Sequence, residues 1–166
     1  MTALTIRPAI ATDADTIRAL AISNGMFDPD DMDGFDEMMR GYLDGTLDGH
    51  AWIVAEDEHG ATAGGGYYAP EPFADRMWNL YFIAVDPGRH RDGTGGVIID
   101  WVDQTLRDNG PDAARVLIVE TSSLDQYAQA RAFYAKQGFV EEARIRDFYG
   151  PGDNKVVFWK SLVDAE

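Results

Sequence analysis

Apolar and polar positions along the chain switch between a period of two and a period near 3.6, and the switches mark out its elements. Residues 4–10 (LTIRPAI) have the branched pattern of a short strand, and Pro8, which lacks a ladder donor, predicts an edge position. Thr12 with Asp15 three residues on has the form of a capping box, opening a helix to about Ser23. Residues 27–37 (FDPDDMDGFDE) crowd turn formers and acids into a loop before a second helical pattern through Met38, Met39, Tyr42 and Leu43. Residues 51–55 (AWIVA) and 62–68 flank an EDEHG turn and predict an antiparallel hairpin. The run Gly64-Gly65-Gly66 weakens its strand but permits close approach of another element, and packing is the expected reason for it.

The second half continues the alternation. After a loop at residues 70–76, residues 78–85 (WNLYFIAV) read as a strand that ends at Asp86-Pro87. Val97, Ile98, Trp101, Val102 and Leu106 then recur at helical spacing. Residues 115–120 (RVLIVE) have a buried-strand pattern, and residues 127–137 (YAQARAFYAKQ) a helical one that Gly138 ends as a left-handed cap. Two further strands, 139–146 and 155–162, are joined by FYGPGDN. Hairpins mixed with crossover units predict the α+β (mixed α/β) class: one central mixed sheet flanked by about four helices, in a single domain over residues 1–166.

Composition narrows the function. The chain has no cysteine, so there is no disulfide, no thiolate nucleophile and no cysteine metal site. A formal net charge of −15 argues against nucleic acid, whose phosphates require a basic footprint. No stretch has membrane-spanning length and no leader pattern opens the chain, so a cytoplasmic location is the expectation. His50, His59 and His90 lack ligand spacing, and a calcium loop counted from Asp28 fails because Asp33 and Met39 stand where glycine and glutamate are needed; no metal is expected. Ser122 and Ser123 follow a strand, but without a G-x-S-x-G elbow they do not suggest a hydrolase.

The stretch at residues 85–108 carries the chemistry. Glycines at 93, 95 and 96 let backbone approach a ligand, and the first N–H groups of the following helix have no intrahelical partners, which suits an anion such as a pyrophosphate. An unliganded strand-to-helix turn has the same composition. Neither the P-loop nor the dinucleotide fingerprint fits the spacing.

The order of elements, the turn HRDGTGG after a strand ending VDP, and the later segment ARAFYAKQGF together resemble the GNAT acyl-CoA N-acetyltransferases over essentially the whole chain. The resemblance implies an acetyl-CoA-dependent enzyme that moves an acetyl group directly to a primary amine of a small molecule or peptide, and leaves a homodimer open. The family's Q/R-x-x-G-x-G/A loop, laid on Gly93-Thr94-Gly95, puts His90 where Gln or Arg is usual, with Arg89 and Arg91 flanking it. The implied coenzyme-binding residues are Arg89, His90, Arg91, Asp92, Gly93, Thr94, Gly95 and Gly96. Ile83, Ala84 and Val85 on the strand join them, with an oxyanion held by N–H groups near Ala84 and Val85, as do Tyr127 and Phe133. Tyr127 stands where the family often has asparagine.

Tyr134 fits the family's A-x-x-x-Y-x-x-x-G-F and would face the coenzyme sulfur. A phenol has a pKa of about 10 and a thiol about 8.5, so full proton transfer to the thiolate is uphill by about 2 kcal/mol and Tyr134 is read first as a hydrogen-bond donor. Many relatives carry glutamate on the central strand; the matching position is Asn79, and Glu120 is the base candidate, with Asp36 and Glu37 behind it. The acids from Asp28 to Glu37 would form a wall that attracts a cationic acceptor. The missing strand glutamate also admits a second reading, a non-catalytic acyl-CoA sensor or interaction domain of the same fold.

Overall fold

The computed structural model describes residues 3–164. Its elements are β1 (Thr5–Pro8), α1 (Ala14–Ser23), α2 (Asp33–Leu43), β2 (Ala51–Glu56), β3 (Thr62–Pro70), β4 (Met77–Val85), α3 (Thr94–Asp108), β5 (Val116–Ser122), α4 (Ala128–Lys136), β6 (Val140–Gly150) and β7 (Asp153–Ser161). The strands form one mixed seven-stranded sheet in the order β1-β2-β3-β4-β5-β7-β6, the class expected from the sequence pattern. The chain makes two compact units: the first holds the residues up to Ala69 with Phe82–Val102, the second Pro70–Tyr81 with the residues from Asp103 on. β4 and α3 each contribute residues to both.

In the first unit β1 pairs antiparallel with β2, Thr5 opposite Glu56 through Pro8 opposite Ile53, and β2 with β3 in the predicted hairpin, with a register slip between Ala55 and Glu56. Ile17, Leu20 and Ala21, at helical spacing on α1, and Phe35 and Met39 on α2 bury against Trp52, Tyr67 and Phe82. The Phe35 ring meets Trp52 edge-on at 5.0 Å and Phe82 at 5.6 Å, while Trp52 stacks on Tyr67 at 4.3 Å.

Two local expectations fail here. The Thr12/Asp15 capping box does not form; the chain enters α1 through a short 3₁₀ turn in which Asp13 accepts from the Ile10 N–H at 2.8 Å. Arg7 holds the same carboxylate at 2.8 Å and Glu56 at 2.6 Å, which keeps Asp13 below the ordinary carboxylate range. In addition, α2 starts inside the predicted acidic loop, because Asp33 and Asp36 in its first turn face the positive end of the helix dipole.

In the second unit β4 pairs parallel with β5 from Met77 opposite Val116 to Leu80 opposite Val119, and β5 pairs antiparallel with β7. β6 runs to Gly150 rather than ending near Arg146. The ladder is irregular between Ile145 and Gly150, where Asp147 has φ 56° and its N–H donates to Asn154 Oδ1 at 2.9 Å. The turn residues are thus carried within the strand as a bulge. α4 is tied to the end of β5 by Arg131, whose Nη1 donates to the carbonyls of Ser122 at 2.7 Å and Leu124 at 2.9 Å. It ends at Gly138 with φ 92°, the left-handed cap expected.

The glycine run on β3 has a packing reason. A Cβ on Gly64 would lie 2.8 Å from the Ala84 carbonyl oxygen and 2.9 Å from Ile98 Cδ1. Since one of these neighbours is backbone, Gly64→Ala is expected to destabilise the protein by about 1–3 kcal/mol. Urea unfolding checks it: the midpoint should fall with the slope unchanged.

Candidate active site

The turn after β4 lies in the first unit. Ile83, Ala84 and Val85 are the last residues of that strand, with Ala84 buried and its two neighbours partly exposed. Asn24, at the end of α1, donates through Nδ2 to the carbonyls of Leu20 at 2.8 Å and Val85 at 3.0 Å, which fixes its amide so that Oδ1 faces His90. His90 Nε2 lies 3.1 Å from that Oδ1 and 3.1 Å from the Val85 carbonyl. Both are acceptors, so Nε2 carries a hydrogen and the imidazole pins the start of the turn.

Arg89 is engaged as well. Its guanidinium pairs with Asp57 from the β2–β3 turn. The Ala61 N–H and then Arg89 hold that carboxylate below its usual range. Among the described residues Arg91 has no ion pair, and it sits exposed at φ 74°. Of the three basic residues expected to face a phosphate, Arg91 is therefore the one whose charge is not already matched.

The turn then opens. Gly93 has φ 89° with no atom within 4 Å of where a Cβ would sit, so backbone is accessible there. Asp92 Oδ1 accepts from the Thr94 N–H at 3.0 Å and the Thr94 hydroxyl at 2.6 Å, which lowers its pKa and caps the first turn of α3. The Val97 N–H is taken by the Gly93 carbonyl at 3.1 Å. Of the expected cradle of N–H groups over residues 91–96, that of Thr94 is thus already taken, and a carboxylate stands at its rim.

The second unit holds a tyrosine and a polar cluster of its own. Tyr134 is buried on α4, its ring packed near Phe133 at 5.5 Å, Phe158 at 5.7 Å and Phe139 at 6.1 Å. Burial raises its pKa well above the phenol value, so the hydroxyl keeps its proton as a donor. Its hydroxyl has no hydrogen-bond partner among the described residues. Tyr127, half-buried, closes the 3₁₀ turn that leads into α4, and Phe133 is partly exposed beside Tyr134.

Glu120, near the end of β5, is not a free strand-end carboxylate. Its Oε2 pairs with Lys155 of β7 at 2.9 Å and its Oε1 accepts from Asn79 Nδ2 at 3.2 Å. The same Nδ2 donates to Glu71 Oε1 at 2.7 Å, and the Tyr81 hydroxyl donates to that oxygen at 2.9 Å. Lys155 lies 3.6 Å above the Phe148 ring. Tyr149, near Glu120, is pushed up to about 12 by burial, with Glu120, Asp153 and Tyr127 adding to the effect.

Sequence reasoning missed Glu71, Lys155, Asn24 and Asp57. Only sheet register could have brought Lys155 to Glu120, and Glu71 lies in a loop without any pattern.

Asp28, Asp30, Asp31, Asp33 and Glu37 are exposed, and Asp36 pairs with Arg18 at 3.0 Å beside a cleft of about 250 Å³ between α1 and α2 that also carries Arg40. Among the described residues no group of three or more His, Asp or Glu side chains is arranged to hold a metal ion, and no helix is long and apolar enough to cross a membrane.

Comparison with known proteins adds the family. The profile of the acetyltransferase (GNAT) domain matches residues 48–141. A solved structure from Desulfovibrio desulfuricans, assigned to the GNAT acetyltransferase family, is 32% identical, with a TM-score of 0.86 over 97% of this chain and 100% of that one. A ribosomal-protein alanine N-acetyltransferase from Escherichia coli has a TM-score of 0.77 at 18% identity, over 99% of this chain and 97% of that one. An aminoglycoside 6'-N-acetyltransferase complexed with coenzyme A has a TM-score of 0.75 at 13% identity, over 98% and 99%. A search of the curated proteins finds no match.

The two unmatched charges of the turn should act in opposite directions on a diphosphate ligand. Arg91→Ala is expected to weaken coenzyme A binding and Asp92→Asn, which keeps the acceptor for Thr94, to strengthen it, each by about two- to fivefold at low salt. Titration calorimetry at two salt concentrations is the check. Unchanged affinity in both variants would remove the turn from the binding site.

Proposed function

The chain belongs to the GNAT family of acetyltransferases, and from that premise we propose that it moves the acetyl group of acetyl-CoA directly to a primary amine of a small molecule or peptide. The turn after β4 carries this reading: Gly93 sits in the left-handed region with open space beside it, ahead of the first N–H groups of a fifteen-residue helix. A pyrophosphate fits such a turn, with the N–H groups at Gly95 and Gly96 donating and Arg91 supplying charge. Arg89 and His90 support the turn from behind, and Asp92 and Thr94 shape its rim.

Acetyl-CoA is the donor substrate, and the chemistry needs no protein nucleophile. The amine attacks the thioester carbonyl carbon, backbone N–H groups near Ala84 and Val85 at the end of β4, beside Ile83, stabilise the oxyanion, and coenzyme A leaves as thiolate. Tyr134, kept protonated by burial, donates a hydrogen bond to the charge growing on sulfur, with Tyr127 and Phe133 flanking the coenzyme arm. An alkyl amine with a pKa of about 10 arrives protonated at neutral pH, so a carboxylate must take its proton first. The polar cluster that contains Glu120 fills that role.

Acetyl-CoA at about 100 times its dissociation constant is expected to stabilise the protein by about 2.7 kcal/mol, read as a thermal shift. Tyr134→Phe should keep that shift while lowering thiol release by about 10²-fold, because the ring still packs and only the donor is gone. The wild-type rate should not fall as pH approaches the ordinary tyrosine value of about 10, since burial has moved Tyr134 above it. No thermal shift at saturating coenzyme would sink the reading; unchanged turnover in the variant would return Tyr134 to the core.

A further inference from the structure

We propose that Glu71 and Glu120, bridged by the side-chain amide of Asn79, form a two-carboxylate subsite that binds the acceptor as an ammonium ion, and that Glu71 takes its proton. This rests on the reading of the chain as an amine acetyltransferase and specifies which part of the acceptor it recognises.

The bridge itself points to a ligand. Asn79 Nδ2 donates to Glu71 Oε1 at 2.7 Å and to Glu120 Oε1 at 3.2 Å, and since ionised carboxylates only accept, the amide cannot be turned the other way round. That leaves Asn79 Oδ1, on a side chain with 0% exposure, buried and without a hydrogen-bond partner among the described residues. Neither carboxylate can satisfy it, because it needs a donor. An ammonium group brings three, enough to meet this oxygen and both carboxylates together.

The local charge agrees. Glu120 is balanced by Lys155 at 2.9 Å, whereas Glu71 meets neutral donors, the Asn79 amide and the Tyr81 hydroxyl at 2.9 Å. The cluster therefore carries one unmatched negative charge and takes one cation. It also separates two roles: Glu120, held by Lys155, positions the ammonium, and Glu71, which has no ion pair among the described residues, is the base. Glu71 thereby supplies, from the segment between β3 and β4, the carboxylate that the neutral side chain at Asn79 lacks.

The proton balance closes. The ammonium gives one proton to the Glu71 carboxylate and becomes a free amine. Its lone pair forms the C–N bond to the thioester carbon, the C–S bond breaks and its electrons leave on sulfur. The acetylated nitrogen then sheds a second proton and the thiolate takes one up. Ammonium and acetyl-CoA become amide, thiol and one proton released to water.

The test uses the full chain, acetyl-CoA and a panel of primary alkylamines with free thiol as readout. The fastest amine is then followed from neutral to alkaline pH in wild type, Glu71→Gln and Glu120→Gln. The other titratable groups around the pair are Tyr81, Lys155, Tyr149, Asp153 and Tyr127, and Tyr149, pushed up to about 12, stays neutral throughout. Glu71→Gln should lose about 10²-fold in kcat/KM at neutral pH and recover most of it where the amine is already free, with the acetyl-CoA thermal shift unchanged. Glu120→Gln should act mainly on KM. Should Glu71→Gln melt early, Glu71→Asp keeps the charge and should retain the wild-type pH dependence at a lower kcat; a flat profile there counts against the idea. An equal loss at every pH, or none, overturns the inference and leaves the transferase reading standing. A panel in which no amine releases thiol removes both.

Discussion

The Ala84 carbonyl oxygen lies 2.8 Å from the point where a side chain on Gly64 would begin, and the glycine turn after β4 depends on that approach. Any larger residue would push the end of β4 away from β3, and the turn starts where β4 stops. The Asp86 N–H bonds to the Ala63 carbonyl at 2.8 Å, and Asn24 and His90 both hold the Val85 carbonyl. Glycine costs conformational entropy in a strand. Here it sets the path of the backbone from which the glycine turn departs.

Electrostatics in this chain works by local pairing. With a net charge of −15, the mean field repels any anionic substrate, but that field is screened over about 8 Å at physiological ionic strength. Close partners decide the rest. Arg7 binds Asp13 and Glu56, Arg89 binds Asp57, and Asp103 is held between Lys160 at 2.7 Å and Arg107. Against that background two charges without an ion pair among the described residues lie where ligands are proposed: Arg91 on the turn of the first unit and Glu71 in the cluster of the second. One suits a phosphate and the other an ammonium, the charged ends of the two substrates proposed.

Periodicity determined most of the fold, because a half-buried helix or strand must repeat its apolar positions at the spacing of its own geometry. The hairpin of β2 and β3, the strand before the glycine turn, the helix after it and the glycine cap on α4 were all legible that way. So was the family, since the turn and the tyrosine segment are contiguous motifs. The element ends were less so. Asp13, which Arg7 on another element also reaches, took the role given to Asp15, and α2 absorbed acids that resemble loop in a linear reading.

What only the tertiary structure decided is which charges remain available. His90, Arg89 and Arg91 look alike as a basic triplet, yet His90 is engaged by Asn24 and Arg89 by Asp57, residues distant in sequence. Asn79 reads as the loss of a catalytic acid until β4 and β5 lie in register and a loop returns Glu71 to its amide. A sequence fixes the identity and spacing of its ionisable groups, but their use depends on partners within a few ångströms, and those distances are set by strand register and loop return.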